Sequence, residues 1–347
     1  MDLFTPAVDI ERLHPNFQRV LSFARRGERA VVQQWAEHFP DRDNKFVKEF
    51  QTTFNSSFWE LYLHSLFKSY EFIFDWSHNR PDFMLSNGHV NFVVEATTAN
   101  AAVGDIPEWD KTESVSEKVL NKRFGELNKT AIIRLSNGIH GKTNKYRDYY
   151  THLNHVAGKP YVVAVAPFEQ PDFQFQYDRP MRALLYDDYV DEEIFFKDPS
   201  AYPNGPPSIR LGYVEKANGA EVELGIFNDS SMSEISAVLF SCVATWGKAV
   251  AMSSVAELGF VNSLWGVDGP PGDERRTACI GVPSETISDG LQVFHNPNAS
   301  KPLDPSVFRR VGVVQHYWDN GQYVQEHYSS ALRFRQTTTI GLSPPQE

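Results

Sequence analysis

The chain has 347 residues, 41% of them hydrophobic and 22% charged, with a net charge of −11. This is enough apolar material for a large core and for roughly two domains, and it argues against disorder outside the tail at 343–347. Two cysteines, Cys242 and Cys279, form neither a disulfide framework nor a metal spacing, residues 1–6 lack a basic-then-apolar leader, and the apolar-looking run at 237–252 is too short and polar to span a bilayer; a reducing, cytoplasmic setting is expected.

Helical periodicity runs over 16–38 (Phe17, Val20, Leu21, Ala24, Val31, Val32, Trp35) and more strongly over 46–67 (Phe46, Phe50, Phe54, Phe58, Leu61, Tyr62, Leu66), with 40–44 as a stop and restart. Glu60 lies off the centre of the second apolar stripe. A short strand is expected at 71–76. Residues 82–95 contain Asn87-Gly88 between two β-prone runs, a strong hairpin signal. With Asn87 and Gly88 as the whole loop, Ser86 faces His89 and Asp82 faces Val93, and Asp82, Glu95 and Thr97 project from one side of the sheet. A slip of one residue would destroy that arrangement.

A loop is expected at 98–111, then basic helices at 113–128 and 130–150. The apolar run at 159–167 reads as a buried strand, which makes the helices a crossover in a mixed α/β sheet. Beyond 170, Pro- and Gly-rich spacers at 199–207 and 266–272 separate strand-like runs at 209–215, 221–228, 311–317 and 321–328 and a buried segment at 235–252. The expected organisation is an N-terminal helical region at 1–44, a core at 45–170 and an acidic α+β region at 171–347.

The charge is unevenly distributed. Residues 1–160 hold 20 basic and 20 acidic side chains, so the net negative charge comes from 161–347. Residues 118–147 contain eight basic side chains and one acid, Glu126. Such a segment suits phosphate contact, although a solvated helix face would read the same way.

Three acids at one point are how a protein builds a divalent-metal site for phosphodiester chemistry. Glu60, Pro81-Asp82 and Glu95-Ala-Thr97 at the end of an apolar strand resemble the PD-(D/E)xK nuclease superfamily, the restriction-endonuclease-like fold, over roughly 45–170. The resemblance implies an α/β protein whose mixed β-sheet core is flanked by helices. It also implies a Mg²⁺ site, with Mn²⁺ as substitute, formed by Asp82, Glu95 and Glu60, and hydrolysis of nucleic acid, DNA first.

The family lysine would fall at Thr97, which carries no charge. Some members place it on a neighbouring helix, and here Arg134, Gly138, Gly141, Lys142 and Lys145 share helical spacing. Lys142 is the candidate for the displaced lysine and Lys145 the reserve. Glycine is costly inside a helix, so the two glycines mark either close approach of a phosphate backbone or a helix break. Arg134, Lys142, Lys145, Lys122 and Arg123 are the candidate nucleic-acid contacts.

Two other readings stay open. One is a degenerate nuclease fold, marked by Thr97, that only binds nucleic acid or a protein. The other is an interaction protein whose acidic C-terminal region docks a basic partner or a second copy. His140, His152 and His155 have no cysteine partner for zinc and read as ordinary surface or core residues, and 269–276 reads as a surface loop.

Overall fold

The computed structural model describes residues 1–101, 104–110, 117–267 and 272–340. The tail at 343–347 and the start of the helix expected at 113–128 lie outside the described residues. The chain opens with helices α1 (Pro15–Val20), α2 (Arg26–Trp35), α3 (Phe46–Thr52) and α4 (Phe54–Ser69). Each long periodic stretch is thus two helices. Ser22 turns extended (φ −57°, ψ 148°) between α1 and α2, and Thr53 leaves helical geometry (φ −122°, ψ 36°) between α3 and α4. Apolar spacing survives such a kink, which hides it from a periodicity reading.

Strands β1 (Ile73–Phe74), β2 (Phe83–Ser86) and β3 (Asn91–Thr98) follow, then α5 (Glu117–Leu120), α6 (Phe124–Asp148) and β4 (Tyr161–Ala166). Next come α7 (Arg179–Tyr186), β5 (Tyr189–Val190), α8 (Glu192–Lys197), β6 (Ser208–Ile209), β7 (Tyr213–Glu215), β8 (Glu221–Glu223), β9 (Ile235–Phe240) and α9 (Trp246–Met252). The remaining strands are β10 (Gly259–Gly266), β11 (Asp273–Cys279), β12 (Leu291–His295), β13 (Val313–Asp319), β14 (Gln322–Glu326) and β15 (Ala331–Thr339).

Eight strands form one mixed sheet in the order β1-β2-β3-β4-β9-β12-β13-β14. β2 and β3 are antiparallel, whereas β3, β4 and β9 run parallel. Every residue of β4 and β9 is buried, as continuous apolar runs in the middle of a parallel sheet should be. α6 lies in the crossover from β3 to β4, packs on both strands and continues through Gly138 and Gly141 without a break.

The division expected at 170 does not divide the sheet. β4 pairs directly with β9, and β12, β13 and β14 extend the same sheet from residues beyond 290. One apolar core runs from Leu3 to Leu332. The N-terminal helices also belong to it, through Phe17, Val32 and Trp35. A separate antiparallel sheet, β11-β10-β15, uses residues 273–276, which had read as loop. β11 is an edge strand with a mostly exposed Asp-Glu-Arg-Arg start, so it carries no apolar alternation to betray it. Among the described residues no helix is long and apolar enough to cross a membrane. Cys242 and Cys279 are free thiols.

The hairpin differs from expectation in an instructive way. Ser86 pairs with Asn91 and Phe83 with Val94, so the loop is the four residues 87–90. Asn87 Oδ1 accepts the amides of His89 (3.0 Å) and Val90 (2.8 Å), and Gly88 takes φ +87°. The true register is two residues away from the one expected. A shift of two preserves the face of every side chain, so Asp82 and Glu95 remain on one side.

α4 is fixed to the sheet by the buried indole of Trp59, whose Nε1 donates to the Ala164 carbonyl of β4 at 3.1 Å. Trp59→Phe removes that buried hydrogen bond and trims the packing. Denaturant unfolding should show a loss of about 1–3 kcal/mol; a change below ~0.5 kcal/mol would mean that the anchor is not there.

Candidate active site

Glu95 is the residue around which the site is organised. It occupies the middle of β3, between β2 and β4, with a fully buried side chain. Its Oε1 accepts Lys142 Nζ at 3.0 Å and Lys145 Nζ at 2.5 Å, and its Oε2 accepts the Tyr150 hydroxyl at 2.9 Å. Burial works to raise its pKa, but the two ammonium groups and their hydrogen bonds outweigh burial and hold it below the ordinary carboxylate range. The Tyr161 hydroxyl donates to the Lys142 carbonyl at 3.1 Å, tying the same turn of α6 to β4.

Asp82 lies one position beyond the β2 ladder, where the register, carried one step on, sets it opposite Glu95. Its Oδ2 accepts the Ala96 amide at 2.8 Å. Its approach segment is held by Arg42, which donates to the carbonyls of His78 (2.8 Å) and Asp82 (3.3 Å), and by His155, whose Nε2 meets the Arg80 carbonyl at 2.8 Å. The Arg80–Pro81 peptide is cis.

Glu60, from α4, faces the same space. Among the described residues neither its carboxylate nor Asp82 Oδ1 has a hydrogen-bond or ion-pair partner. Burial, reinforced by the charge of Asp82, pushes Glu60 up to about 8. Burial, reinforced by Glu95, pushes Asp82 up to about 6. Two partly buried acids short of positive charge will take up a proton or a cation.

These groups line one cavity of about 750 Å³, together with Thr97, Asn100, Arg134, Gly138, Gly141 and Glu169. Thr97 lies over Gly138, where an added Cβ would stand 3.7 Å from the threonine methyl in ordinary contact. Nothing lies within 4 Å of a Cβ built at Gly141, so that turn of α6 is open. Gly138 faces the sheet at ordinary contact distance, so packing would admit an alanine there, while Gly141 faces open space.

The candidate nucleic-acid contacts divide. Lys142, Lys145 and Arg134 line the cavity, although Arg134 spends its guanidinium on the carbonyls of Asn100 (2.7 Å) and Ala101 (3.0 Å). Lys122 and Arg123 precede α6 and do not line it. Lys122 sits 4.8 Å over the Phe196 ring, and Arg123 pairs with Glu126. Arg147 pairs with Glu234 from a different side of the helix, so the basic segment is not one continuous face. Tyr150, Tyr161 and Arg42 escaped the sequence reading, because a tyrosine or arginine that touches a carboxylate or carbonyl only in the fold leaves no local pattern; His155, read there as an ordinary surface or core residue, is half-buried and bonds the Arg80 carbonyl.

Among the described residues no three His, Cys, Asp or Glu side chains are already grouped to hold a metal ion. What the cavity does contain is a pair of uncompensated carboxylates, Glu60 and Asp82. Their hard oxygens suit Mg²⁺ or Mn²⁺, which need only a few protein ligands beside water. Glu95 is already neutralised by lysine, so it fits as an outer partner or as a ligand that gives up one ammonium contact. Comparison with protein-family models, curated proteins and solved structures finds no match to this chain. The sheet and cavity thus establish only a mixed α/β protein with a lysine–carboxylate site.

The raised acids carry a signed pH dependence in metal-free protein. Between the ordinary carboxylate range and pH 8 the folded chain keeps protons on Glu60 that the unfolded chain has lost, so stability should fall as pH rises through that window. In EDTA, Glu60→Gln should flatten the decline up to about pH 8 and Asp82→Asn the part below about pH 6. Equal slopes for wild type and both variants in denaturant titrations would contradict the unpaired-acid geometry.

Proposed function

We propose that this protein is a Mg²⁺-dependent nuclease of the PD-(D/E)xK type, hydrolysing phosphodiester bonds of nucleic acid, with DNA as the polymer. The observation that carries the reading is the meeting of Glu60 from α4, Asp82 and Glu95 from the β2–β3 hairpin, and Lys142 from α6 in one cavity. The ammonium that the Thr97 position lacks is supplied from α6, at 3.0 Å from Glu95.

Glu60 and Asp82 would hold the cation, with Glu95 beside them. When bound, the cation would polarise the phosphoryl group and favour ionisation of a water. Glu95 orients Lys142 and Lys145, and the ammonium groups can meet negative charge as it develops on the phosphate. Tyr150 keeps the second Glu95 oxygen satisfied, so the lysines share one oxygen and stay at the cavity wall. Gly141 leaves the helix backbone open where a phosphate would approach.

One observation favours a second reading. Both Glu95 oxygens are already engaged by protein groups, as in a site that neutralises its own acid and only binds.

The test is cleavage of plasmid and of single-stranded DNA and RNA with Mg²⁺ or Mn²⁺. Wild type should cut, and Asp82→Ala and Lys142→Ala should each lower the rate by roughly 10²–10³-fold at a temperature where melting curves show each variant folded. Intact polymers after long incubation with either metal would exclude the nuclease. Undiminished nucleic-acid binding by Asp82→Ala would then favour the binding module.

Gly141→Ala separates the two demands on that turn. Helix propensity should raise stability by about 0.5–1 kcal/mol, while the methyl should weaken substrate binding. Unchanged binding would show that no phosphate approaches there.

A further inference from the structure

A second cavity, of about 530 Å³, shares the start of α4 with the acidic one. Phe54, Asn55 and Phe58 line it, whereas Thr53, Ser56 and Glu60 line the acidic cavity; Phe168 and Glu169 divide in the same way. Its other aromatic walls are Trp109, Phe173 and Trp246, and Arg19 and Arg25 also line it. The Trp246 ring packs 6.1 Å from both Phe54 and Phe58.

Two N–H donors here are buried and, among the described residues, unpartnered: Asn55 Nδ2 and Trp246 Nε1. Asn55 is 5% exposed, and its Oδ1 is already used, accepting Asn16 Nδ2 at 3.1 Å. Buried donors without acceptors are rare in folded proteins and costly to leave so. Both residues line a cavity of ligand size, and a guest that brings acceptors could satisfy the donors with a small side-chain adjustment. The aromatic walls ask for a flat guest, since rings stack on π faces. Arg19 already donates to the Trp109 carbonyl at 2.6 Å and Arg25 to Glu28 at 3.2 Å, so each has only its remaining N–H groups for a phosphate at the guest's edge. An aliphatic guest would leave both donors unpaired.

We propose that this cavity binds a nucleobase, stacked on its aromatic walls, with a carbonyl-bearing edge at Asn55 and Trp246 and the attached phosphate toward Arg19 and Arg25. The base can come from a free nucleotide or from a strand whose base has swung out of its stack beside the acidic cavity. Only the second source rests on the nuclease reading.

The experiment is done in EDTA, so that failure of cleavage cannot be mistaken for failure of binding. Calorimetry and tryptophan fluorescence are followed with uridine and guanosine monophosphates, with ribose 5-phosphate, and with a short single strand against its fully abasic counterpart. The monophosphates, the strand or both should bind at least about tenfold more tightly than the base-free counterpart. Trp246→Phe keeps a ring and removes the N–H; it and Asn55→Ala should each weaken that binding by about 2–10-fold, with melting curves confirming the fold. Binding of the monophosphates assigns a free nucleotide, and base-dependent binding of the strand alone assigns an extruded base. The proposal is overturned if neither probe prefers a base, or if both variants bind as wild type does.

Discussion

Glu95 ionises in the middle of a sheet, out of reach of solvent, because α6 carries two ammonium groups and the segment after it a phenol to the same carboxylate. A lone charge in that position would be expensive, and removing one partner from such a cluster typically costs several kcal/mol. The cluster therefore constrains how α6 can lie on β3 and β4. Tyr161 adds a bond from the sheet to the Lys142 carbonyl. Lys142 and Lys145 keep part of their surface open, at 21% and 33%, so the groups that satisfy the buried acid also face the cavity.

The cavity is consequently polarised. Glu95, on one side, has more positive charge than it needs. Glu60 and Asp82, on the other, have none within bonding distance, and burial drives both toward protonation. A cation on the acid side and a phosphate against the ammonium side would complete both at once. On the proposed reading, Thr97 is no defect, because the charge arrives from a neighbouring helix.

Asp82 and Glu95 were legible because the Asn-Gly turn signal and strand alternation are local, and because a side chain's face depends only on parity. The loop proved two residues longer than expected, yet the face survived. Lys142 was legible through its spacing on α6. Tyr150, the remaining partner of Glu95, was not, since it meets the carboxylate from 55 positions along the chain and no local pattern marks it. The boundary expected at 170 failed for a related reason: β4 pairs with β9 across a long insertion, and no composition change marks a strand that joins a sheet already begun. The charged edge strand β11 was hidden because its residues are mostly exposed.

The most direct measurement is a crystal soaked in Mn²⁺ and examined by anomalous scattering. The account predicts a peak bound by Asp82 Oδ1 and the Glu60 carboxylate, with the Lys142 amine still beside Glu95. An acidic cavity empty of metal at saturating Mn²⁺, with Glu60 and Asp82 unchanged, would contradict it.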